Sequence, residues 1–263
     1  MSLQAALILN AALALACWLG RLLSRSGSLG GFLIGSLIAF FLGWGGWLVL
    51  MLFFLGGTAA TKFRYPAKQA RGVAQSHGGQ RRWSHAWANA GSGVACALAS
   101  WLARRGGAFV WAEAWRWAFV ACFAAALSDT LSSEFGQLAR QRPWLITTGE
   151  EVDPGTDGGV TRAGILVGVL GAIFLTLAGR FLRLVPVKAT LPLALAGLSG
   201  NLFDSYLGAT LQRRGVLNND LVNLCNTVAG ALLGLLGFWL MHWVPGWLVD
   251  WGGRHSWVLD FFI

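Results

Sequence analysis

Charge is what this sequence has least of. Asp, Glu, Lys and Arg make up 12% of its 263 residues, about half the share found in soluble globular domains. Acids are the scarcer sign, 11 against 20 basic residues, leaving a net charge of +9. The four cysteines, Cys17, Cys96, Cys122 and Cys225, sit in apolar surroundings with no Cys-x-x-Cys spacing. That pattern argues against metal ligation and disulfides and for small buried hydrophobes. No Gly-Lys-Ser/Thr ending is present, so a Walker P-loop is excluded. The opening "MSLQAALILNAALALACWLGRLLSR" has no basic region before its apolar run, which reads as a first membrane span rather than a signal peptide.

What fills the sequence is apolar. Hydrophobic residues make up 56% of the chain and its mean hydropathy is +0.58. The chain is therefore expected to be an integral membrane protein forming a single membrane-embedded domain over 1–263. A surplus of cations in so apolar a chain reflects Lys and Arg on cytoplasmic loops facing anionic lipid, and no nucleic-acid partner is expected.

Runs of about 20 mainly apolar residues mark spans. Candidates are 4–20, 29–43, 44–61, 86–103, 115–136, 162–182, 190–212 and 221–244. The expected fold is an all-α polytopic transmembrane helix bundle of about eight spans, with a hint of an internal repeat. Spans 29–43 and 44–61 are short and joined by "GWGG", the pattern of a hairpin or re-entrant pair. Gly31-x-x-x-Gly35 and Gly230-x-x-x-Gly234 offer flat faces for helix packing. With the N-terminus outside, 13 of the 20 basic residues fall on cytoplasmic segments, which sets the orientation. Eight of the 11 acids fall on that side too. Lipid attraction explains the cations there but not the acids; a reaction centre at the cytoplasmic face explains both.

Five segments supply the chemistry. In "AALSDTLSSEFG", Asp129, Ser132, Ser133 and Gly136 share one helical stripe, after a run from Trp117 to Leu127 whose sole ionisable group is Cys122. Glu134 lies off that stripe and meets Asp129 only if the helix bends. In "LSGNLFDSYLGATLQRRG", Asn201, Asp204, Ser205, Gly208 and Gln212 form a second polar stripe. In "GVLNNDLVNLCNT", Asn218, Asn219 and Asp220 stand at a loop-to-helix junction, more polar groups than a cap needs. The loop "TTGEEVDPGTDGGVT" puts Gly155, Thr156, Asp157, Gly158 and Gly159 in a turn before a helix, a backbone suited to phosphate. Last, "TKFRYPAKQARGVAQSHGGQRRWSHAWANAGSG" has six basic residues and no acid. Lys62, Lys68, Arg71, Gln75 and Asn89 are its candidate phosphate contacts.

These parts suggest phosphoryl transfer from a cytosolic nucleoside triphosphate to a lipid-embedded acceptor. Mg²⁺ is expected on Asp129 and Asp204, with Glu134 or Asp220 completing its shell, since Mg²⁺ takes one or two carboxylates plus phosphate oxygens. Asp129, Asp204 and Lys68 are the candidate catalytic residues.

The motifs "TKFRYPAKQARGVAQ", "SDTLSSEFG", "PGTDGGVT" and "DSYLGATLQRRGVLNND" together resemble one membrane family, the one that includes phytyl-phosphate kinase and transmembrane protein 19. The resemblance covers about Thr58 to Gly237. It implies nucleotide-dependent conversion of an isoprenyl monophosphate, such as phytyl phosphate, to the diphosphate. More distantly, "DTLSSEFG" is similar to the Asp motif of CTP-dependent polyprenol kinases and CDP-diacylglycerol synthases, which implies CTP as donor by analogy. The implied partners are the isoprenyl monophosphate, the nucleotide and membrane lipids, and the expected location is the cell (inner) membrane with the site on its cytoplasmic face. Whether the chain is a homodimer stays open. Two rivals remain: a transporter of an anionic substrate, and a nucleotidyltransferase forming a CDP-lipid.

Overall fold

The computed structural model describes residues 2–75 and 77–243. Eight α-helices build it: α1 (Leu3–Leu19), α2 (Arg25–Lys62), α3 (Tyr65–Ala70), α4 (Trp83–Arg105), α5 (Phe109–Gly136), α6 (Arg162–Phe181), α7 (Thr190–Leu207) and α8 (Asn219–Trp243). Among the described residues, the strands are confined to a two-residue antiparallel pairing of β1 (Trp144–Leu145) with β2 (Gly159–Val160). It closes the base of the loop carrying the Pro-Gly-Thr-Asp-Gly-Gly turn. Four helices (α2, α5, α6 and α8) are long and apolar enough to cross a bilayer by length and composition, and α1 is a shorter apolar helix. The fold is a polytopic membrane bundle.

The run from Trp117 to Leu127 looks written for lipid, yet it is the core. Every residue in it is at most 1% exposed. Of the most apolar stretch of α5, 72% is buried, against 33–39% in the other long apolar helices. Small residues on the surrounding helices let this happen by permitting close backbone approach. Gly230 and Gly234 of α8 face Ala125, Ala121 and Ala118, and Gly197 of α7 lies against Ala124. Gly168, Gly171 and Gly179 of α6 meet Ser128, Leu131 and Val120, and Gly93 of α4 meets Phe123. The Gly230-x-x-x-Gly234 face is thus spent on α5. These contacts also give direction: α4, α6 and α8 run antiparallel to α5, while α7 runs parallel to it, Gly197 level with Ala124 and Asn201 with Ser128.

The two short spans expected at 29–43 and 44–61 are the arms of α2. The helix breaks at Gly43, with φ 67° and ψ −154°, a region open to glycine alone. Both arms then return to the same residue, since Gly27 packs on the Arg81 carbonyl and Gly57 on the Arg81 guanidinium. α2 is therefore a hairpin whose tip is the Gly-Trp-Gly-Gly sequence, each arm about 27 Å long at 1.5 Å per residue. Gly46 lets the arms close on Leu42, and Gly45 lets the tip meet the 182–184 segment.

That segment ends α6 in a Schellman cap: the Arg183 amide donates to the Arg180 carbonyl (2.9 Å) and the Leu184 amide to that of Gly179 (2.9 Å). The left-handed position of such a cap is ordinarily glycine; here it is Arg183, at φ 58°. An L-residue there costs roughly 1–2 kcal/mol.

A candidate phosphoryl-transfer cleft

One end of the bundle gathers the starts of α4, α6 and α8 and the ends of α5 and α7. Helix starts carry partial positive charge and unpaired N–H groups; helix ends carry the reverse. A site built where both kinds meet has one part suited to anions and another suited to cations. Between these ends lies a cleft of about 630 Å³.

The end of α5 contributes Asp129, Ser132, Ser133 and Gly136, all four lining the cleft. The end of α7 contributes Asp204 and Ser205, then Gly208 and Gln212 from a π-turn over Gly208–Gln212 that carries the helix on. Such turns recur at functional sites because they re-aim side chains. Asp129 is 8% exposed. Asp204 is within Coulombic reach of Asp129 and Asp157, and its Oδ2 is buried without a hydrogen-bond partner. Asn201, one turn deeper on the same stripe, donates to Ser128 Oγ (3.0 Å) and ties α7 to α5 below the carboxylates.

The Gly-rich turn docks on the π-turn. Gly158 has φ 77°, and a Cβ there would collide with the backbone of Ala209; Gly208 packs on Gly158 from the other side. Gly155, at φ 88°, meets Val73. The turn is folded by its own bonds: the Thr156 amide and hydroxyl both donate to the Asp153 carbonyl (3.2 and 2.8 Å), and the Gly159 amide donates to Thr156 (3.0 Å). Among the described residues, the Asp157 and Gly158 amides, in the turn that lines the cleft, donate to no acceptor. Burial raises the Asp157 carboxyl above its ordinary pKa, and the nearby Arg213 opposes that rise. We expect Gly158→Ala to lower Tm by a few degrees and to open the 147–161 loop to protease, because clash and left-handed strain act at one residue. Limited proteolysis checks this; an unchanged cleavage pattern would show that the turn is not locked to α7.

α6 opens with Thr161, whose Oγ1 accepts from the Gly164 amide (3.0 Å). α8 opens behind Asn218, whose Oδ1 accepts from the Leu221 amide (2.9 Å). Asn218, Asn219, Asp220 and Asn223 all line the cleft, and Asp220 lies 3.7 Å from His85 Nδ1. Gln75 lines it as well.

Five residues expected in the site lie elsewhere. Lys68 is 0% exposed on α3; its ammonium donates to the Ala60 carbonyl (2.8 Å), the Thr61 carbonyl (3.3 Å) and Glu134, so its three protons are spent. Glu134 stays within Coulombic reach of Asp129 but does not line the cleft, because α5 runs regularly to Gly136 instead of bending and the off-stripe position pairs with Lys68 of α3. Lys62 is exposed and donates to the Gly78 carbonyl (2.7 Å). Arg71 caps the end of α5, donating to the carbonyls of Gln137 (2.9 Å) and Ala139 (3.2 Å). Asn89 is buried inside α4, bonded to the His85 carbonyl (3.0 Å).

The cations that do line the cleft are Arg81 and Arg82, at the start of α4. Arg81 is 7% exposed, its backbone bridges to Leu23, and its guanidinium lies 5.5 Å over the Phe53 ring. Burial lowers its pKa to about 10 while Glu134 holds it up, so it stays charged at neutral pH. The sequence held these two residues within a run of cations; only their place directly before a helix start set them apart. Among the described residues, no three His, Cys, Asp or Glu side chains cluster as metal ligands; Glu134 is paired with Lys68 and Asp220 lies beside His85, so neither stands with Asp129 and Asp204 as a third carboxylate here. Asp129 and Asp204 remain as neighbouring carboxylates, one with an orphaned oxygen, and two suit Mg²⁺ bound largely through phosphate.

Fold and cleft together define a multi-pass helical membrane protein with a polar, mixed-charge site at one face. Residues 8–231 match the model of the integral membrane protein DUF92 family, and the chain belongs to that family. This is the membership to which the four ordered motifs pointed. The chain is 37% identical over 216 residues to the membrane protein MJ0933 of Methanocaldococcus jannaschii, covering 82% of this chain and 86% of that one. It is 36% identical over 227 residues to the chloroplastic protein VTE6 of Arabidopsis thaliana, covering 84% and 68%. The Synechocystis membrane protein sll0875 is 34% identical over 203 residues, 77% of each chain. No solved structure matches.

Proposed function

We propose that this protein transfers the terminal phosphoryl group of a nucleoside triphosphate, CTP by the analogy of its Asp motif, to an isoprenyl monophosphate such as phytyl phosphate. The product is the isoprenyl diphosphate. The observation that carries the reading is the convergence, in one cleft at a membrane face, of Asp129 and Asp204 with Arg81, Arg82 and three helix starts. Homology to VTE6 over most of the chain supports a reaction of the phytyl-phosphate kinase type.

The acceptor is already an anion, so no general base has to create the nucleophile. The difficulty is to hold two phosphates in line against their repulsion, which calls for positioning and charge neutralisation. Mg²⁺ held by Asp129 and Asp204 would neutralise phosphate charge. Arg81, stacked on Phe53 and kept charged by Glu134, would offer its guanidinium to phosphate oxygens. The Asp157 and Gly158 amides and the starts of α6 and α8 add donors that need no reorganisation. Phe203 and Tyr206, exposed on α7 beside Asp204, offer the isoprenyl chain a path along the bundle wall.

The test is to offer the purified protein each NTP with phytyl, geranylgeranyl or farnesyl monophosphate and Mg²⁺, and to identify products by mass. A prenyl diphosphate with NDP supports the kinase. Pyrophosphate with a nucleotide-capped lipid overturns it in favour of a nucleotidyltransferase.

The same reading requires the cleft to face the cytoplasm. We infer eight crossings, the two arms of α2 each counting as one, with α3 lying at the cleft face. Labelling of single cysteines in a Cys-free background is then expected to reach Lys188→Cys from outside the cell and Thr156→Cys only after permeabilisation. The reverse pattern would remove a cytosolic donor.

A further inference from the structure

At the end of the bundle remote from the cleft, a second cavity of about 680 Å³ lies between the α2 tip, the end of α4, the start of α5 and the cap of α6. We propose that this cavity binds the phosphate of an anionic lipid headgroup in the leaflet opposite the reaction cleft. The inference does not need the proposed reaction, though it rests on the orientation that puts the cleft at the cytoplasmic face.

Three arginines line it from three separate elements: Arg104 on α4, Arg116 on α5 and Arg183 in the α6 cap. Topological sorting does not explain them, because sorting moves cations toward the cleft face and leaves this face poor in them. Pairing does not explain them either. Glu113 is the one carboxylate lining the cavity, and among the described residues it forms no salt bridge. Arg116 Nε is buried with no hydrogen-bond partner, a cost that a bound acceptor would remove. Arg183 occupies the cap position where glycine is unstrained.

The ligand follows from the chemistry of the walls. Guanidinium forks match phosphate oxygens, while Trp101 and Leu182 supply apolar surface beside them. Phe109, 66% exposed at the rim, extends that surface outward. A free anion has no use for the apolar part; a lipid places its headgroup on the arginines and its chains along the aromatic rim.

The full chain in detergent, titrated with phosphatidylglycerol or phosphatidylcholine and followed by native mass spectrometry, tests this. The parent is expected to retain one phosphatidylglycerol that Arg116→Gln holds at least about tenfold more weakly. Arg116→Lys should lose it as well, since charge is kept but the fork is gone. Arg183→Gly should weaken it with Tm unchanged or raised, which separates binding from folding. Retention by Arg116→Lys equal to the parent would reduce the effect to diffuse attraction and overturn the site. Equal retention of phosphatidylcholine would overturn it too. If millimolar inorganic phosphate without lipid raises the Tm of the parent but not of Arg116→Gln, the ligand is a free anion and the lipid proposal fails.

Discussion

Asp129→Asn and Asp204→Asn are each expected to lower kcat by at least about a hundredfold while leaving the protein as stable as the parent, or more so. The first half follows from the proposed reaction, in which each carboxylate would hold the Mg²⁺ that neutralises phosphate charge, so that its loss acts on the transition state. The second half follows from packing. Asn has the shape of Asp, and Asp204 stands half-buried near Asp129 with one buried oxygen that has no partner. A buried carboxylate without compensation is costly, so neutralising it removes a penalty. A functional group and a structural one therefore behave oppositely: a carboxylate kept for stability would lose Tm when replaced. Turnover and Tm measured on the same preparations decide. Near-parent activity in both variants would remove the carboxylates from the reaction.

Lys68→Met is expected to destabilise the bundle by about 3–5 kcal/mol, because it strands Glu134 inside the protein without its cation. Two C-terminal carbonyls of α2 lose their donor in the same step. The double variant Lys68→Met/Glu134→Leu should recover part of the loss, since a buried pair replaced by apolar groups is often neutral. Denaturation in detergent measures both. If Lys68→Met keeps the parent Tm and loses only turnover, the lysine acts on a phosphate after all. Lys68 and Glu134 then belong to the cleft in some state of the protein.

Periodicity made much of the cleft legible. A regular helix puts Asp129, Ser132, Ser133 and Gly136 on one stripe, and all four line the cleft because α5 stays regular to its end. The same regularity placed Glu134 off the stripe, so its absence from the cleft lining was also readable. Asp204, Ser205, Gly208 and Gln212 line the cleft although the π-turn over Gly208–Gln212 lies within their stripe. The Gly-Trp-Gly-Gly tip was readable because only glycine accepts the backbone of Gly43.

What stayed illegible depends on contacts far apart in sequence. The run from Trp117 to Leu127 has the composition of a lipid-facing span, and only the glycines of α4, α6, α7 and α8 make it a core. Among the cations of the 61–93 segment, the sequence does not separate Lys68, which pairs with a residue 66 positions away, from Arg81 and Arg82, which line the cleft. A basic run states which side of a membrane it lies on before it states what any one member touches.

The central claim is that the cleft moves a terminal phosphoryl group onto a lipid phosphate. Its most direct test supplies the protein, in lipid nanodiscs with Mg²⁺, with CTP radiolabelled at either the γ or the α position, together with phytyl phosphate. The account predicts that the γ label appears in phytyl diphosphate, that the α label stays in the nucleotide, and that Asp129→Asn abolishes the transfer. An α label carried into the lipid product, with pyrophosphate released, would contradict it.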